Sequence, residues 1–219
     1  MEQGIKGPAY EEYQALKATQ QEVENGDFEP IIVDNIFSKE DIEEIYAIIN
    51  STPEEKTKLQ TWAGHRAWHV PLGDKIVAKI NEAVKRTFGD ELVLRQDYSF
   101  ARYSGEWGYK VKLFPHSDIR DSQRMTFDIQ LNADEPWGII VEDKTYFLEN
   151  NQALCFAGTQ QVHWREKKPI DVNSKIDMIF CHLEYVDGRG FEEHREDVLF
   201  ERTRFLSGYY DLTSNDEYI

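Results

Sequence analysis

The chain has 219 residues, 40% of them hydrophobic and 13% aromatic, which is enough to bury one substantial core but leaves little room for two full domains. Its 41 acidic and 25 basic residues give a formal charge of −16, and no basic stripe offers a footprint for phosphates, so nucleic acid is a disfavoured partner. We therefore expect an N-terminal arm over residues 1–27 and a single domain over residues 28–219.

Only two cysteines are present, Cys155 and Cys181. Neither belongs to a CxxC pair, so the sequence offers no disulfide framework and no thiolate zinc site. Both lie in apolar, strand-like runs and are expected in the core. The N-terminus lacks a signal pattern, and no apolar run approaches the roughly 20 residues that span a bilayer. These features predict a cytoplasmic protein without a membrane partner.

The first third of the chain carries the signals of one strand and two helices. An apolar run at 30–33 predicts a leading strand. Ser38 begins a capping box with Asp41, and isoleucines at helical spacing follow, so a helix is predicted over 39–50. A second apolar helical face ends just before Gly89, a residue suited to stop a helix.

From residue 91 onward the sequence changes to short strand-like runs separated by turns. Such runs are found at Leu92–Leu94, Tyr98–Tyr103, Met125–Leu131, Gly138–Val141, Thr145–Leu148, Ala153–Phe156 and Lys175–Leu183. Their spacing indicates an antiparallel sandwich or barrel. Helices followed by many short strands predict an α+β, mainly β fold, in which the helices buttress a β-sandwich that can hold a small site.

An HxD pattern, His116-Ser117-Asp118, is the first candidate site. In a strand or at its end alternate side chains share a face, so His116 and Asp118 can point at one metal ion. His163 follows several predicted strands later, and a sandwich can bring it to the same place. Two imidazoles and one carboxylate on one face of a metal are the ligand set of ferrous oxygenases. These three residues therefore predict an iron site.

A cation near such a site can hold the carboxylate of a molecule whose other end chelates the metal. Lys175 lies beyond His163 and opens an apolar strand-like run, which suits the base of a pocket. Lys167 and Lys168 are competing cations, but they lie too near His163 to begin the next strand comfortably.

Together these residues resemble the iron(II)/2-oxoglutarate dioxygenase superfamily and, within it, the prolyl-hydroxylase-like branch. The resemblance extends over residues 98–185 and follows the order of the family's motifs. Those motifs are Arg102-Tyr103-Ser104-Gly105 with Tyr109, Pro115-His116-Ser117-Asp118, Arg124-Met125-Thr126 leading to Gln130-Leu131-Asn132, Ala153-Leu154-Cys155-Phe156 before His163, and finally Lys175.

The resemblance implies a double-stranded β-helix, the jelly-roll fold of cupins, with a catalytic core over residues 91–185. It also implies that His116, Asp118 and His163 are catalytic metal ligands for Fe(II). The implied cosubstrates are 2-oxoglutarate and O₂, with ascorbate as a stimulant.

For 2-oxoglutarate itself, the resemblance implies three further residues. Lys175 would pair with the distal carboxylate, and Tyr103 would support the cosubstrate. Gln130 falls where the family often has another cosubstrate-binding side chain, frequently a tyrosine in prolyl hydroxylases.

The implied reaction is hydroxylation of a C–H bond with release of succinate and CO₂. Asp118 favours hydroxylation over halogenation, because related halogenases have a small residue at that position. The substrate is a prolyl or other residue of a protein, or a free amino acid or small metabolite, so the partner is a peptide or a small molecule. The oligomeric state stays open.

Two other functions are considered. A non-catalytic, cupin-like module that binds a metal or a metabolite would not need the carboxylate clamp of Lys175 and Tyr103. A nucleic-acid demethylase is opposed by the charge of −16.

A segment rich in tryptophan and histidine precedes the second helix and contains Trp62, His65, Trp68 and His69. The two histidines have the four-residue spacing that can chelate zinc on a helix. Lining of the substrate entrance and plain packing are the alternatives. Trp164, beside His163, is a further candidate for the pocket.

Overall fold

The structure is a computed structural model that describes most of the chain between residues 29 and 186. The described residues are 29–60, 63–69, 71–95, 98–108, 111–116, 118, 125–142, 144–158 and 161–186, with the backbone alone at 112, 114–116 and 167. The arm expected over residues 1–27 lies outside them, as do Trp62, Tyr109 and Arg124.

Two α-helices and twelve strands form within these ranges. The helices are α1 (Lys39–Ser51) and α2 (Asp74–Phe88), and short 3-10 helices span Glu54–Lys56 and Gly105–Trp107. The strands are β1 (Ile31–Val33), β2 (Thr57–Gln60), β3 (His65–Trp68), β4 (Leu92–Leu94), β5 (Ser99–Ser104), β6 (Val111–His116), β7 (Met125–Ala133), β8 (Ile139–Val141), β9 (Lys144–Tyr146), β10 (Gln152–Phe156), β11 (His163–Lys168) and β12 (Lys175–Tyr185). Neither helix in the described part is long and apolar enough to cross a membrane.

The strands form two antiparallel sheets. The major sheet has the order β1-β10-β7-β12-β5-β3-β2, with β4 also paired to β12, and the minor sheet has the order β6-β11-β8-β9. Most neighbours in the two sheets are distant in sequence, as in a jelly roll, and the consecutive pairs among the described strands are β2–β3 and β8–β9. The predicted α+β, mainly β fold with N-terminal helices is therefore confirmed.

The two central strands of the major sheet, β7 and β12, separate two environments. Phe127 and Ile129 of β7 and Ile179 of β12 point to one face, where they join the core beneath the helices. Cys155 and Cys181 are free and buried in this same core, as predicted. Alternate residues of the two strands point the other way, towards the minor sheet.

The signals that predicted the helices have their expected structural roles. The Ser38 hydroxyl accepts the Asp41 N–H at 3.2 Å, and the Asp41 carboxylate accepts the Ser38 N–H at 3.1 Å, which completes the capping box of α1. Gly89 ends α2 with a φ of +69°, a left-handed conformation that favours glycine.

A buried carboxylate ties α1 to the helix-facing side of the major sheet. Asp177 of β12 is fully buried. It accepts hydrogen bonds from the Tyr46 hydroxyl at 2.8 Å and from Arg102 Nε and Nη2 at 2.7 and 2.9 Å. Because a buried charge is stable only when donors surround it, these three side chains fix the position of α1 over β5 and β12.

Every run that was predicted to be a strand forms one. Four further strands, β2, β3, β6 and β11, were not predicted. β2 and β11 are rich in lysine, glutamine, glutamate and arginine, residues that are uncommon in strands. Pairing with neighbouring strands decides their conformation, and this pairing is not visible in a local pattern.

The capping box provides a prediction for the pH dependence of stability. Hydrogen bonds from Lys75 and from the Ser38 N–H lower the pKa of Asp41 from 3.8 to about 2. The folded state therefore binds this proton less readily than the unfolded state, so the stabilisation is present above pH 3.8 and is lost as the pH falls towards 2. We expect Asp41→Asn to reduce the free energy of unfolding by about 1 kcal/mol at neutral pH, with a difference from wild type that disappears towards pH 2.

Urea unfolding of both proteins across this pH range is the measurement. The matched control is Glu44→Gln, which removes the more exposed carboxylate that also contacts Lys75. A pH-independent difference for Asp41→Asn would contradict the interpretation.

Candidate active site

A cavity of about 230 Å³ is lined by residues of both sheets. Alternate residues of the major-sheet strands form most of its wall, and β6 and β11 supply the rest. Its polar lining residues include His65, Tyr103, Asp118, Thr126, Asp128, His163 and His182. An interior cavity with this many imidazole, carboxyl and hydroxyl groups is suited to a polar ligand.

The structure brings the predicted metal ligands to one edge of this cavity. His163 begins β11 and pairs in register with His116, the last residue of β6, whose backbone alone is described. Asp118 lies just beyond the end of β6, and its Oδ1 is 3.6 Å from His163 Nε2. A register shift between β6 and β11 falls next to Pro115, as expected of a residue that has no N–H to donate.

The ring of His163 is oriented by its second nitrogen. Nδ1 lies 3.1 Å from the carbonyl oxygen of Gln161, so the proton belongs on Nδ1 and the lone pair on Nε2. Phe156 packs edge-to-face against the ring, with centroids 4.7 Å apart. This arrangement is the one that a metal-binding histidine requires, with Nε2 turned towards Asp118.

Asp118 is held by contacts on both its backbone and its carboxylate. Its N–H donates to the carbonyl oxygen of Gly158 at 2.8 Å, and the Thr126 hydroxyl donates to its Oδ2. A Cβ at Gly158 would collide with the Asp118 carboxylate and the Thr126 hydroxyl. Glycine at 158 and threonine at 126 therefore position this carboxylate, and neither was predicted from the sequence.

His182 is a second histidine beside Asp118. Its Nε2 lies 4.0 Å from Asp118 Oδ2, and it occupies the same face of β12 as Phe180, another lining residue. His182 was not among the predicted site residues, although its place at the end of an alternating run was a usable signal.

Tyr103 lies inside the cavity wall and is fully buried. Its ring makes edge-to-face contacts with His65 and Trp137, at centroid distances of 4.8 Å each. Burial raises the pKa of Tyr103, so its hydroxyl stays protonated. That hydroxyl has no hydrogen-bond partner among the residues that the structure describes, so it is available to donate a hydrogen bond to a ligand.

The other two predicted cosubstrate residues lie elsewhere. Gln130 is buried on the cavity-side face of β7, but its amide donates to the carbonyl oxygen of Leu148 at 2.8 Å and it is not part of the lining. Lys175 is exposed and pairs with Ser104 in register. Lys175 and Asp177 are two residues apart in β12, so their side chains point to the same face of the sheet. Asp177 faces the helices, so the side chain of Lys175 does not point into the cavity.

Arg165 is a buried cation close to the lining residue Tyr103, although it is not itself part of the cavity lining. It follows His163 by two residues on β11 and is fully buried. Its Nη1 donates to the carbonyl oxygen of Trp137, its Nη2 lies 4.0 Å from Met178 Sδ, and its guanidinium lies 4.9 Å from the Trp137 ring centroid. None of these partners carries a negative charge.

Asp128 is a buried carboxyl group in the cavity wall. Burial raises its pKa well above the ordinary value and the nearby Asp118 adds to this effect, whereas Arg165 opposes it. Asp128 was also not predicted, although an acidic residue inside the apolar run Met125–Leu131 marks a polar position on one strand face.

The tryptophan- and histidine-rich segment forms a strand, so its two histidines do not share a helix face. His65 lines the cavity, whereas His69 is exposed. Burial lowers the pKa of His65 to about 4, and His69 contributes, so His65 is neutral at physiological pH. Trp68 points away from the cavity and packs against Phe100.

Trp164 is fully buried. It follows His163 directly in β11, so it points to the opposite face of the minor sheet, and it is not part of the cavity lining.

The donor set fits a divalent first-row metal. The described side chains supply an imidazole nitrogen from His163 and a carboxylate from Asp118, and the third predicted ligand, His116, lies opposite His163 in register. Two imidazoles and one carboxylate suit iron(II) better than zinc thiolate or calcium oxygen sites.

Comparisons with known proteins give structural matches only. No protein-family model matches the sequence, and no curated protein does so either. HygX from Streptomyces hygroscopicus, solved with nickel and 2-oxoglutarate bound, has a TM-score of 0.53 at 9% identity over 72% of this chain and 83% of its own.

Two other solved structures have similar scores. An oxidoreductase of the 2OG-Fe(II) oxygenase family from Burkholderia pseudomallei has a TM-score of 0.54 at 10% identity, covering 85% of this chain and 96% of its own. A Pseudomonas putida prolyl-4-hydroxylase has a TM-score of 0.52 at 12% identity, covering 77% and 98%. Together with the sheet order, these similarities establish that the chain has the double-stranded β-helix fold of the 2-oxoglutarate–Fe(II) oxygenases.

Proposed function

We propose that this protein is an Fe(II)- and 2-oxoglutarate-dependent oxygenase that hydroxylates a C–H bond. The observation that carries the proposal is the meeting of His163 and Asp118, 3.6 Å apart, opposite His116 at the edge of a polar cavity. A buried guanidinium, that of Arg165, follows His163 on the same strand. Metal ligands and a cation for a carboxylate are the two requirements for binding a chelating 2-oxo acid.

In this proposal His116, Asp118 and His163 hold the iron. When bound, iron and 2-oxoglutarate supply the oxidising chemistry with O₂, and succinate and CO₂ are released. The chain keeps the ligands in place: Gln161 fixes the ring of His163, and the Thr126 hydroxyl fixes the carboxylate of Asp118. Such supporting contacts orient metal ligands and raise metal affinity.

We assign to Arg165 the role that the family resemblance gives to Lys175. Among the described residues, the hydrogen-bond partners of this buried guanidinium are a neutral carbonyl and a thioether, and a ligand carboxylate would provide a counter-ion. A guanidinium also matches a carboxylate with two parallel hydrogen bonds. Lys175 is exposed and on the other side of the sheet, so it would need a different backbone path to reach the same ligand.

Tyr103 supports the same ligand in this proposal. Its hydroxyl remains a neutral donor next to the cavity, and its ring lies between His65 and Trp137. Gln130 stays a weaker candidate, because its amide donor is already used by the Leu148 carbonyl.

The proposed substrate is a prolyl or other protein residue, or a free amino acid or small metabolite. The fold does not select among these, since sites for different substrates are built on the same scaffold. Asp118 supports hydroxylation, because the carboxylate fills a coordination position that a halide would need.

The test is O₂-dependent turnover. Protein loaded with Fe(II) is incubated with 2-oxoglutarate and with pools of amino acids or proline-containing peptides, in air and anaerobically, and succinate is measured. We expect succinate in air only, and we expect His163→Ala to abolish it while His69→Ala, at an exposed position, does not. Metal-dependent binding of 2-oxoglutarate without turnover in any pool would favour the cupin-like binding module, and absence of such binding would overturn the proposal.

The anchor residue is tested by comparing two cations. We expect Arg165→Met to raise the KM for 2-oxoglutarate by at least about tenfold, because a charge-assisted hydrogen bond contributes about 1.5–3 kcal/mol. Lys175→Met, the matched control, should leave the KM unchanged. Arg165→Lys keeps the charge and should recover part of the affinity, with thermal melting as the check on folding. The reverse pattern, with only Lys175→Met affected, would return the role to Lys175.

The support of Asp118 by Thr126 is tested by metal affinity. We expect Thr126→Val, which keeps the shape but removes the hydroxyl, to weaken Fe(II) or Co(II) binding by about 10- to 100-fold, the usual effect of losing such a contact. Thr126→Ser keeps the hydroxyl and should bind the metal like wild type. Equal affinities for the valine and serine variants would mean that the hydroxyl does not hold the ligand.

A further inference from the structure

The cavity wall contains one carboxyl group that the proposed mechanism does not use. Asp128 lies in the middle of β7, where its register partners are Leu154 of β10 and Phe180 of β12. The side chain is 4% exposed. Its Oδ1 has no hydrogen-bond partner within the part of the chain that the structure describes. A buried polar atom without a partner costs stability, so its retention inside a cavity points to a ligand.

The charged groups around Asp128 define where that ligand lies. Asp118, Arg165 and Tyr103 are the titratable groups that act on Asp128 or are acted on by it. Asp128 influences all three through space, with no hydrogen bond to any of them. The other titratable side chains that line the cavity are His65, His163 and His182. Asp128 therefore lines the same cavity as Asp118 and His163, and Arg165 is close enough to act on it through space.

The environment also decides the protonation state of Asp128. Burial without donors is the largest effect and disfavours the charged form, so the pKa of Asp128 is raised well above its usual range. The carboxylate of Asp118 adds to this effect only while it carries no metal ion. Arg165 acts in the opposite direction but with the smallest effect of the three. A neutral carboxyl group has one O–H to donate, and no acceptor in the described wall takes it.

We infer that Asp128 is a specificity-determining residue that donates a hydrogen bond to the oxo acid lying between the metal ligands and Arg165. This inference rests on the proposed function and adds a residue to it. The oxo acid offers only acceptor oxygens, and Arg165, Tyr103 and a neutral Asp128 each have a donor for them. A ligand that offered only a donor at this position would leave the Asp128 proton without an acceptor.

Gln130 illustrates why Asp128 is singled out. It is two residues further along the same strand face and is equally buried, but its amide donor is used by the Leu148 carbonyl. Asp128 has no such internal partner. Gln130 is thus a structural polar group with an internal partner, whereas Asp128 is directed at a ligand.

Two substitutions distinguish a donor from other roles. Asp128→Asn keeps an N–H donor without a charge, and Asp128→Leu keeps the approximate size without any donor. We expect 2-oxoglutarate binding to the Fe(II)-loaded protein, measured by anaerobic titration calorimetry, to stay within about threefold for Asp128→Asn and to weaken at least about tenfold for Asp128→Leu. Metal affinity should be the same in all three proteins.

Thermal unfolding without ligand gives a second readout. Because Asp128→Leu removes a buried polar group that has no partner, we expect its melting temperature to rise above that of wild type, while the increase on adding 2-oxoglutarate becomes smaller. If Asp128→Leu binds 2-oxoglutarate as tightly as wild type or more tightly, Asp128 opposes the ligand or does not contact it. That result would overturn this inference but not the proposed function. A wild-type protein that binds the metal but not 2-oxoglutarate would overturn the proposed function as well.

Discussion

Strand alternation in β7 and β12 is the constraint on which the rest of the structure depends. Successive side chains of a strand point to opposite faces, so each of these strands contributes both to the core and to the cavity. Phe127 and Ile179 enter the apolar core beneath the helices, while Asp128 and His182 reach the cavity. A shift of one residue would exchange the two sets and bury carboxyl and imidazole groups among aliphatic side chains. The apolar residues therefore fix the positions of the polar ones.

The cavity itself is a destabilising feature. Within the described chain, Tyr103 and Asp128 have polar atoms without partners, and Arg165 has a carbonyl and a thioether where a carboxylate would be expected. Departures of this kind from the rules of a well-packed interior are typical of functional sites. On the opposite face of the same sheet the buried charge of Asp177 is fully surrounded by donors. The fold thus separates a satisfied polar network, which holds the helix, from an unsatisfied one, which is open to a ligand.

Local patterns in the sequence were sufficient for the helices and for the strands with apolar alternation, and the predicted ligands His116, Asp118 and His163 lie near one another in the fold. They were insufficient where pairing between strands decides the outcome. Lys175 was predicted to bind the cosubstrate carboxylate because it follows His163 in the sequence. Its position in β12, however, places its side chain on the helix side of the sheet. The burial of Arg165 was not predicted, because the sequence of β11 resembles a charged surface segment and only its pairing with β6 and β8 buries it.

The location of the cation has a geometric consequence for the proposed site. If Lys175 were the anchor, the metal ligand His163 and the anchor would belong to different sheets, and any movement between the sheets would change the distance between them. With Arg165 as the anchor, both groups belong to β11, two residues apart, which corresponds to about 7 Å along a strand. The span that a 2-oxo acid must bridge is then set by one backbone segment. In the same proposal Asp128 and Tyr103, which line the cavity from the major sheet, would contact the ligand from the other sheet, so the fit of the two sheets would determine how well the ligand is enclosed rather than where its ends bind.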